Sequence, residues 1–186
     1  MDTRVFVLAA ALAVAAPVAL RAQAAPTAPS WRGEMHRDVN GAQKKMIDLA
    51  KAIPESAYDW RPSPGTRSVR EVFLHVASDN YFIPIGMGKP APEASGITSD
   101  MKSVGAYEKR NLSKEQIVAE LEASYKHLHQ GMALTTDANA SESIKFFGQD
   151  WTRMRAMTLT VTHLHEHLGQ AIAYARSNNV VPPWSQ

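Results

Sequence analysis

The stretch DWTRMRAMTLTVTHLHEHLGQAIAYARS, residues 150–177, decides the fold because it predicts one long amphipathic helix. Its apolar residues recur at intervals of three and four, the spacing that puts them on one face of a helix. Asn178 and Asn179 can supply a left-handed residue at its end, and Pro182 bars its continuation. A helix of this length with one apolar face indicates a protein in which several helices pack together.

Two histidines of this stretch, His163 and His167, are one helical turn apart on the same face. They lie beside the apolar stripe, so their side chains are predicted to point into the bundle interior, where imidazoles need partners. One divalent metal ion can satisfy both histidines, and two hydrogen-bonded histidines lining a cavity are the alternative. His165 is about 200° around the helix from His163, and Glu166 is also off this line. Neither His165 nor Glu166 is therefore predicted to lie beside His163 and His167. A glutamate that acts as general base, as in the His-Glu-x-x-His zinc proteases, is not supported.

Three earlier segments also carry helical patterns of apolar residues. The first covers residues 31–53. Ser68 and Glu71 have the spacing of a capping box, which predicts the start of the second helix. Ser113 and Gln116 repeat that spacing and predict the start of the third. With the stretch described above, the sequence predicts four long helices.

The segments between these helices are of unequal length. Pro84 is expected to end or kink the second helix. Residues 86–105 are rich in Gly, Pro and Ser and are predicted to form a long loop, a candidate rim or lid over a site. Residues 135–143 are polar and predict a second long loop. The predicted fold class is therefore an all-α four-helix bundle with long loops between helices 2 and 3 and between helices 3 and 4.

The second helix adds His75 and Asp79 to the candidate site. His75 has apolar neighbours, so it is either a hydrogen-bonded core residue or a third metal ligand. Asp79 is four residues further on the same face. It can orient His75, polarise a metal-bound water as a catalytic residue, or simply be exposed. His127 and His129 face opposite ways on the third helix and are both predicted to lie at the surface.

The N-terminus has the pattern of a cleavable signal peptide. Arg4 precedes an apolar run from Val5 to Leu20, and an Ala-x-Ala ending predicts cleavage after Ala24. An uncleaved anchor is the alternative, although the run is short for a membrane span. The expected organisation is a signal peptide over residues 1–24, a flexible lead-in over 25–30 and one domain over 31–186. The expected location of the mature protein is the periplasm or the exterior.

Composition narrows the classes of function. The chain of 186 residues has no cysteine, which excludes disulfides, thiolate ligands and a cysteine nucleophile. Its net charge is only +2 with acids and bases interspersed, so no basic block indicates a nucleic-acid partner. No segment after the signal peptide is predicted to span a membrane.

The ordered set of motifs resembles the DinB/YfiT-like superfamily, a group of metal-dependent bundle proteins. The resemblance covers residues 31–184 and rests on four pieces in order. These are Trp60-Arg61-Pro62 with Pro64-Gly65, the segment from Ser68 through Glu71 with His75, His163-x-x-x-His167-x-Gly169-Gln170, and Arg176 with Pro182-Pro183.

This resemblance implies a four-helix bundle that holds a divalent metal ion, zinc or nickel, through His75, His163 and His167. Relatives include thiol-dependent S-transferases, a mycothiol-dependent isomerase and proposed metal hydrolases. Family membership therefore does not fix the reaction.

The hypothesis favoured from the sequence is a metal-dependent hydrolase that acts on an unidentified small substrate through a metal-bound water. Asp79, Tyr81 or Tyr174 would assist proton transfer. A thiol-dependent S-transferase is one alternative, although export argues against it because small thiols are kept reduced mainly in the cytosol. A non-catalytic metal- or ligand-binding bundle is the other. A homodimer formed through exposed helix faces is compatible with the sequence.

Overall fold

The structure, a computed structural model, describes residues 30–185 and contains five α-helices and one β-hairpin. The predicted signal peptide, residues 1–24, and all but the last residue of the predicted lead-in lie outside the described residues. Short 3₁₀ turns occupy Glu55–Ala57, Glu93–Ser95 and Pro183–Ser185. The main elements are α1 (Trp31–Ala52), α2 (Val69–Gly86), α3 (Met101–Glu108), α4 (Lys114–Met132), β1 (Ser143–Phe146), β2 (Gln149–Thr152) and α5 (Arg153–Ser177).

Side-chain caps begin the long helices where the sequence predicts them. Both predicted capping boxes form: Ser68 with Glu71 at α2, and Ser113 with Gln116 at α4. In each box the serine hydroxyl accepts a backbone amide of the first turn, and the Glu or Gln side chain accepts the amide of the serine. These bonds satisfy amides that have no partner within the helix. Ser30 caps α1 in a simpler way, accepting from the amide of Gly33.

The four long helices α1, α2, α4 and α5 pack around one hydrophobic core. Helix α2 packs against α4 and α5, and α1 packs against α4 and α5 on the other side. The predicted all-α fold is confirmed. Among the described residues, no helix is both long and apolar enough to cross a bilayer. The largest fully buried side chains are Tyr58, Tyr125, Phe73, Met46, Leu49, Ile53, Leu74, Met87, Ile117, Leu121, Leu128 and Met132.

The predicted loop between the second and third long helices contains a further helix. Asp100 begins α3 by accepting a hydrogen bond from the amide of Lys102. Val104 and Tyr107 are buried and attach α3 to the side of α2. Two core residues in eight leave only a weak periodic signal, so this part of the chain was wrongly predicted to be loop throughout. The consequence is that α3 ends beside the candidate site.

The second predicted loop is followed by an antiparallel hairpin, formed by β1 and β2. The last helix was predicted to begin at about Asp150. It begins at Arg153 instead, because residues 149–152 pair with β1 and the Thr152 hydroxyl caps the helix by accepting from the amide of Arg155. The hairpin therefore lies at the N-terminal end of α5.

Candidate metal centre

The packing of α2 against α5 brings three histidines together. The Nε2 atoms of His75 and His167 are 3.0 Å apart, those of His163 and His167 are 3.1 Å apart, and those of His75 and His163 are 3.3 Å apart. His163 and His167 share a face of α5, as their spacing requires, and His75 reaches them from the middle of α2. The structure thus places the three sequence-predicted ligands in one cluster.

Hydrogen bonds fix the protonation of two of these imidazoles. The Glu108 carboxylate can only accept, so Nδ1 of His75 donates to its Oε1 at 2.7 Å. Nδ1 of His167 donates to Oε1 of Gln170 at 3.0 Å, and the Gln170 amide in turn donates to the Tyr174 hydroxyl at 3.1 Å. With both rings neutral and each proton on Nδ1, the Nε2 atoms of His75 and His167 face each other as lone pairs.

This arrangement fits a metal ion better than it fits the histidines alone. Two lone pairs at 3.0 Å repel each other unless a cation lies against both. Imidazole nitrogens bind zinc at about 2.0–2.1 Å, so tetrahedral ligands lie about 3.3–3.4 Å from one another. The observed separations of 3.0–3.3 Å are close to that spacing. The cluster can hold a divalent metal ion.

Asp79 lies at the edge of this cluster. Its Oδ2 is 3.0 Å from Nε2 of His163 and 3.5 Å from Nε2 of His75. Among the described residues, the group whose ligand atoms all lie within 4.8 Å of one another consists of the three histidines, and Asp79 is outside it. Asp79 therefore flanks the His75 and His163 side of the cluster and is placed beside the ligands, not among them. Its side chain is only 14% exposed.

His163 differs from the other two histidines at Nδ1, the ring nitrogen that points away from the cluster. Its Nδ1 is buried and has no hydrogen-bond partner among the described residues. When His163 is neutral with the proton on Nε2, it donates to Asp79 at 3.0 Å and leaves Nδ1 as an unmet acceptor. Ligation through Nε2 moves the proton to Nδ1. The tautomers of His75 and His167 are fixed in advance, whereas that of His163 is not.

Glu108 is the residue of the candidate site that the sequence did not indicate. It is the last residue of α3, and Arg67 donates to both of its carboxylate oxygens, at 2.8 and 3.2 Å. Burial alone would raise the pKa of Glu108, but the hydrogen bonds from His75 and Arg67 outweigh it and lower that pKa to about 2. The carboxylate therefore stays ionised as the acceptor for His75. Of the three roles that the sequence left open for Asp79, the orientation of His75 is excluded, because Nδ1 of His75 is directed at Glu108.

The environment also keeps His167 neutral. Its pKa is lowered to about 4, because burial outweighs the hydrogen bond with Gln170 and the neighbouring His163 and His75 act in the same direction as burial. A neutral imidazole is the form that binds metals. At neutral pH, His167 is therefore ready to act as a ligand.

The structure separates the two tyrosine candidates from the cluster. Tyr174 is buried against Trp60 and reaches His167 only through Gln170. The ring of Tyr81 packs against Tyr107 and His127, and burial raises the pKa of Tyr81 to about 12. Neither hydroxyl is within hydrogen-bond distance of a cluster histidine among the described contacts.

The remaining histidines lie outside the cluster. His165 is exposed, with Nδ1 directed at the Val161 carbonyl of its own helix, and Glu166 is exposed beside it. His129 stacks on His36. The prediction of a surface position is wrong for His127, which is 5% exposed because its ring packs on Tyr81.

The sequence model of the DinB superfamily matches residues 39–171, more than two thirds of the chain. The chain belongs to the DinB superfamily. The match contains all three cluster histidines and Glu108. No curated protein matches the chain.

Solved structures of DinB-like proteins share the fold. A DinB-like protein from Bacillus cereus is 14% identical, with a TM-score of 0.67 over 83% of this chain and 97% of the other. A DinB-like protein from Bacillus subtilis is 12% identical, with a TM-score of 0.61 over 82% of this chain and 98% of the other. At these identities the likeness extends to the fold alone.

Proposed function

We propose that this DinB protein is a metal-dependent hydrolase that binds one divalent metal ion through Nε2 of His75, His163 and His167. The observation that carries the proposal is the convergence of the three Nε2 atoms to within 3.0–3.3 Å of one another, with Nδ1 of His75 and of His167 hydrogen-bonded on the far side of each ring. Donor bonds of this kind fix the ring orientation and raise the basicity of metal-binding histidines.

The chemistry of the donors narrows the choice of metal. Three imidazoles suit zinc, nickel, copper or iron, whereas magnesium and calcium prefer oxygen ligands. Zinc or nickel is the metal that we propose. A divalent metal with three protein ligands keeps a position for water or substrate and acts as a Lewis acid there.

Asp79 is the residue that we propose as the proton acceptor. Its Oδ2 flanks two of the three ligands without belonging to the ligand group. From this position the carboxylate accepts a proton from water that attacks the substrate and later returns it to the leaving group. Arg67 and Glu108 act on the opposite side of His75, where they hold the ring in place.

Hydrolysis assays test this proposal. Zinc-loaded, nickel-loaded and chelator-treated protein would each be assayed with three chromogenic substrates. These are a carboxylic ester of 4-nitrophenol, an anilide of 4-nitroaniline and a phosphodiester of 4-nitrophenol. Asp79→Asn is expected to lower kcat by about 10²- to 10⁴-fold, the usual contribution of a general base, while the bound metal is retained. The matched control is His165→Ala, which removes an exposed histidine of the same helix and should leave kcat unchanged.

Two results would count against the hydrolase. Equal turnover by the chelated and the metal-loaded protein would show that hydrolysis does not depend on metal. Metal binding without turnover of any of the three substrate classes would favour the non-catalytic alternative.

We also propose that the protein acts outside the cytoplasm after removal of residues 1–24. The support is the sequence pattern that ends at Ala24. Intact mass spectrometry of the protein from a periplasmic extract should give a chain that begins at Ala25. A full-length chain that stays with the membrane would favour the uncleaved anchor.

A further inference from the structure

The turn of the β-hairpin has an unusual residue. Phe146 pairs with Gln149, so the loop consists of Phe147 and Gly148 alone, with φ of 50° and 70°. Two-residue hairpin loops with both φ values positive favour Asn-Gly, because asparagine tolerates the left-handed region and bulky residues rarely adopt it. Strain of this kind persists where the surrounding contacts hold the residue in place, and it clusters at functional sites. The aromatic ring at position 147 therefore requires an explanation beyond the turn.

This ring is held at the surface, where it borders a cavity. Phe147 is 47% exposed, and Met101 across the cavity is 50% exposed. The cavity has a volume of about 390 Å³, within the range of small-molecule sites. Phe82, Ile85 and Phe146 form the rest of its apolar lining.

The polar residues at the cavity do not offer a free charge. The Lys145 ammonium is paired with Asp150 at 2.7 Å. Ser99 is neutral, so no unpaired charged side chain lines the cavity among the described residues. The complementary ligand is therefore an uncharged aromatic or aliphatic group.

The cavity walls are preformed by close packing. A Cβ on Gly86 would lie 2.4 Å from the Phe146 ring, so the bare glycine lets that ring rest directly on α2. The ring centroid of Phe82 lies 6.0 Å from that of Phe146 and 5.7 Å from that of Phe147. A preformed apolar wall costs little entropy when a ligand binds.

The cavity and the metal centre lie along one face of α2. His75, Asp79, Phe82 and Gly86 are spaced by four, three and four residues, which puts all four on one side of the helix. Phe82 is seven residues from His75, or roughly 10 Å along the helix axis. A molecule with an apolar group in the cavity would have to extend by about that distance along α2 to reach the histidines, none of which lines the cavity itself.

We propose that this cavity binds the uncharged apolar group of the hydrolase substrate, with the reacting bond at the three histidines. The substrate class is then an ester, amide or phosphoester that carries an aromatic or medium-chain aliphatic group. This inference rests on the proposed function for its substrate. The binding site itself does not depend on hydrolysis.

Binding of N-phenyl-1-naphthylamine, an uncharged aromatic probe whose emission rises in apolar sites, tests the cavity directly. Phe147→Asn removes the ring and installs a residue that suits the turn. It should weaken probe binding about tenfold, and Met101→Ser should weaken it about threefold, because each variant removes apolar contact area. The matched control Leu134→Asn changes another exposed apolar residue and should leave the Kd unchanged.

The triple variant His75→Ala, His163→Ala, His167→Ala should bind the probe as tightly as the wild type. The proposal is overturned if the probe binds equally to wild type, Phe147→Asn and Met101→Ser. It is also overturned if Leu134→Asn weakens binding as much as they do, or if the triple variant loses the probe. Met101→Ser decides the outcome if Phe147→Asn does not fold.

A series of 4-nitrophenyl esters from acetate to octanoate separates the two proposals. In metal-loaded protein, kcat/KM should rise with chain length, and Phe147→Asn should abolish the rise. Probe binding without any ester hydrolysis would contradict the hydrolase and retain the cavity. Hydrolysis that is independent of chain length, in a protein that does not bind the probe, would contradict the cavity alone.

Discussion

Replacement of Glu108 by glutamine is expected to perturb the candidate metal centre through Nδ1 of His75, the ring nitrogen that points away from the cluster. Oε1 of Glu108 accepts the His75 proton at 2.7 Å, and Arg67 donates to both carboxylate oxygens. A glutamine amide can still accept from His75, but its NH₂ group then faces the Arg67 guanidinium, donor against donor. One of the two contacts must be lost, so the His75 ring is held less firmly and its basicity falls.

The expected cost is a loss of metal affinity with the fold intact. Removal of the carboxylate partner of a metal-binding histidine typically weakens affinity about 10- to 100-fold, which corresponds to about 1.4–2.8 kcal/mol. A competition titration of zinc against a chromophoric chelator at fixed pH would measure the change. Circular dichroism would confirm that the helices are retained.

Glu166→Gln is the matched control for this experiment. Glu166 is exposed next to His167 in sequence, so its replacement removes one negative charge near the site without breaking a hydrogen bond to a ligand. We expect a change of less than about threefold, since exposed charges are screened. The reasoning is refuted if Glu108→Gln binds zinc as tightly as the wild type, or if Glu166→Gln is equally weakened.

Two further predictions concern stability. In a urea titration, Gly131→Ala should lower the free energy of unfolding by about 1–3 kcal/mol, because the new Cβ would lie 2.5 Å from Cβ of Pro84 where α4 crosses α2. Gly41 has open space around it. In the same titration, Gly41→Ala should raise the free energy of unfolding by up to about 1 kcal/mol. Burial lowers the pKa of both His36 and His129 below the ordinary histidine value of 6.5. Below pH 6.5 the unfolded chain therefore binds protons at these residues that the folded chain does not. The free energy of unfolding should then fall as the pH falls. His129→Gln should make this fall shallower in urea titrations from pH 7.5 to 5, and an unchanged slope would contradict the assignment.

The long helices were predictable because their signals are local. The capping boxes at Ser68 and Ser113 and the apolar repeats act within a few residues of one another, and the structure has them as predicted. The common face of His163 and His167 follows from helical geometry in the same way. Helix α3 was missed because its stability comes from two side chains packed on α2, which is information that its eight residues do not carry.

The hydrogen-bond partners of the three cluster histidines were less predictable than the histidines themselves. Orientation of His75 was one of the three roles left open for Asp79, which is one turn away, but Asp79 flanks the Nε2 side of the ring. The residue that accepts from Nδ1 is Glu108, 33 positions away on a helix that the sequence did not reveal. Gln170, by contrast, is three residues from His167 and forms its hydrogen bond within one turn. Long-range pairs of this kind depend on how the helices pack.

Metal content tests the central claim most directly. The protein lacking residues 1–24 would be purified without a histidine tag, loaded with zinc or nickel, dialysed and measured by elemental mass spectrometry. His165→Ala and the triple variant at His75, His163 and His167 would be treated in parallel. The account predicts about one metal ion per chain in the wild type and in His165→Ala, and none in the triple variant, which should stay helical. A wild-type protein without metal, or a triple variant that keeps it, would contradict the account.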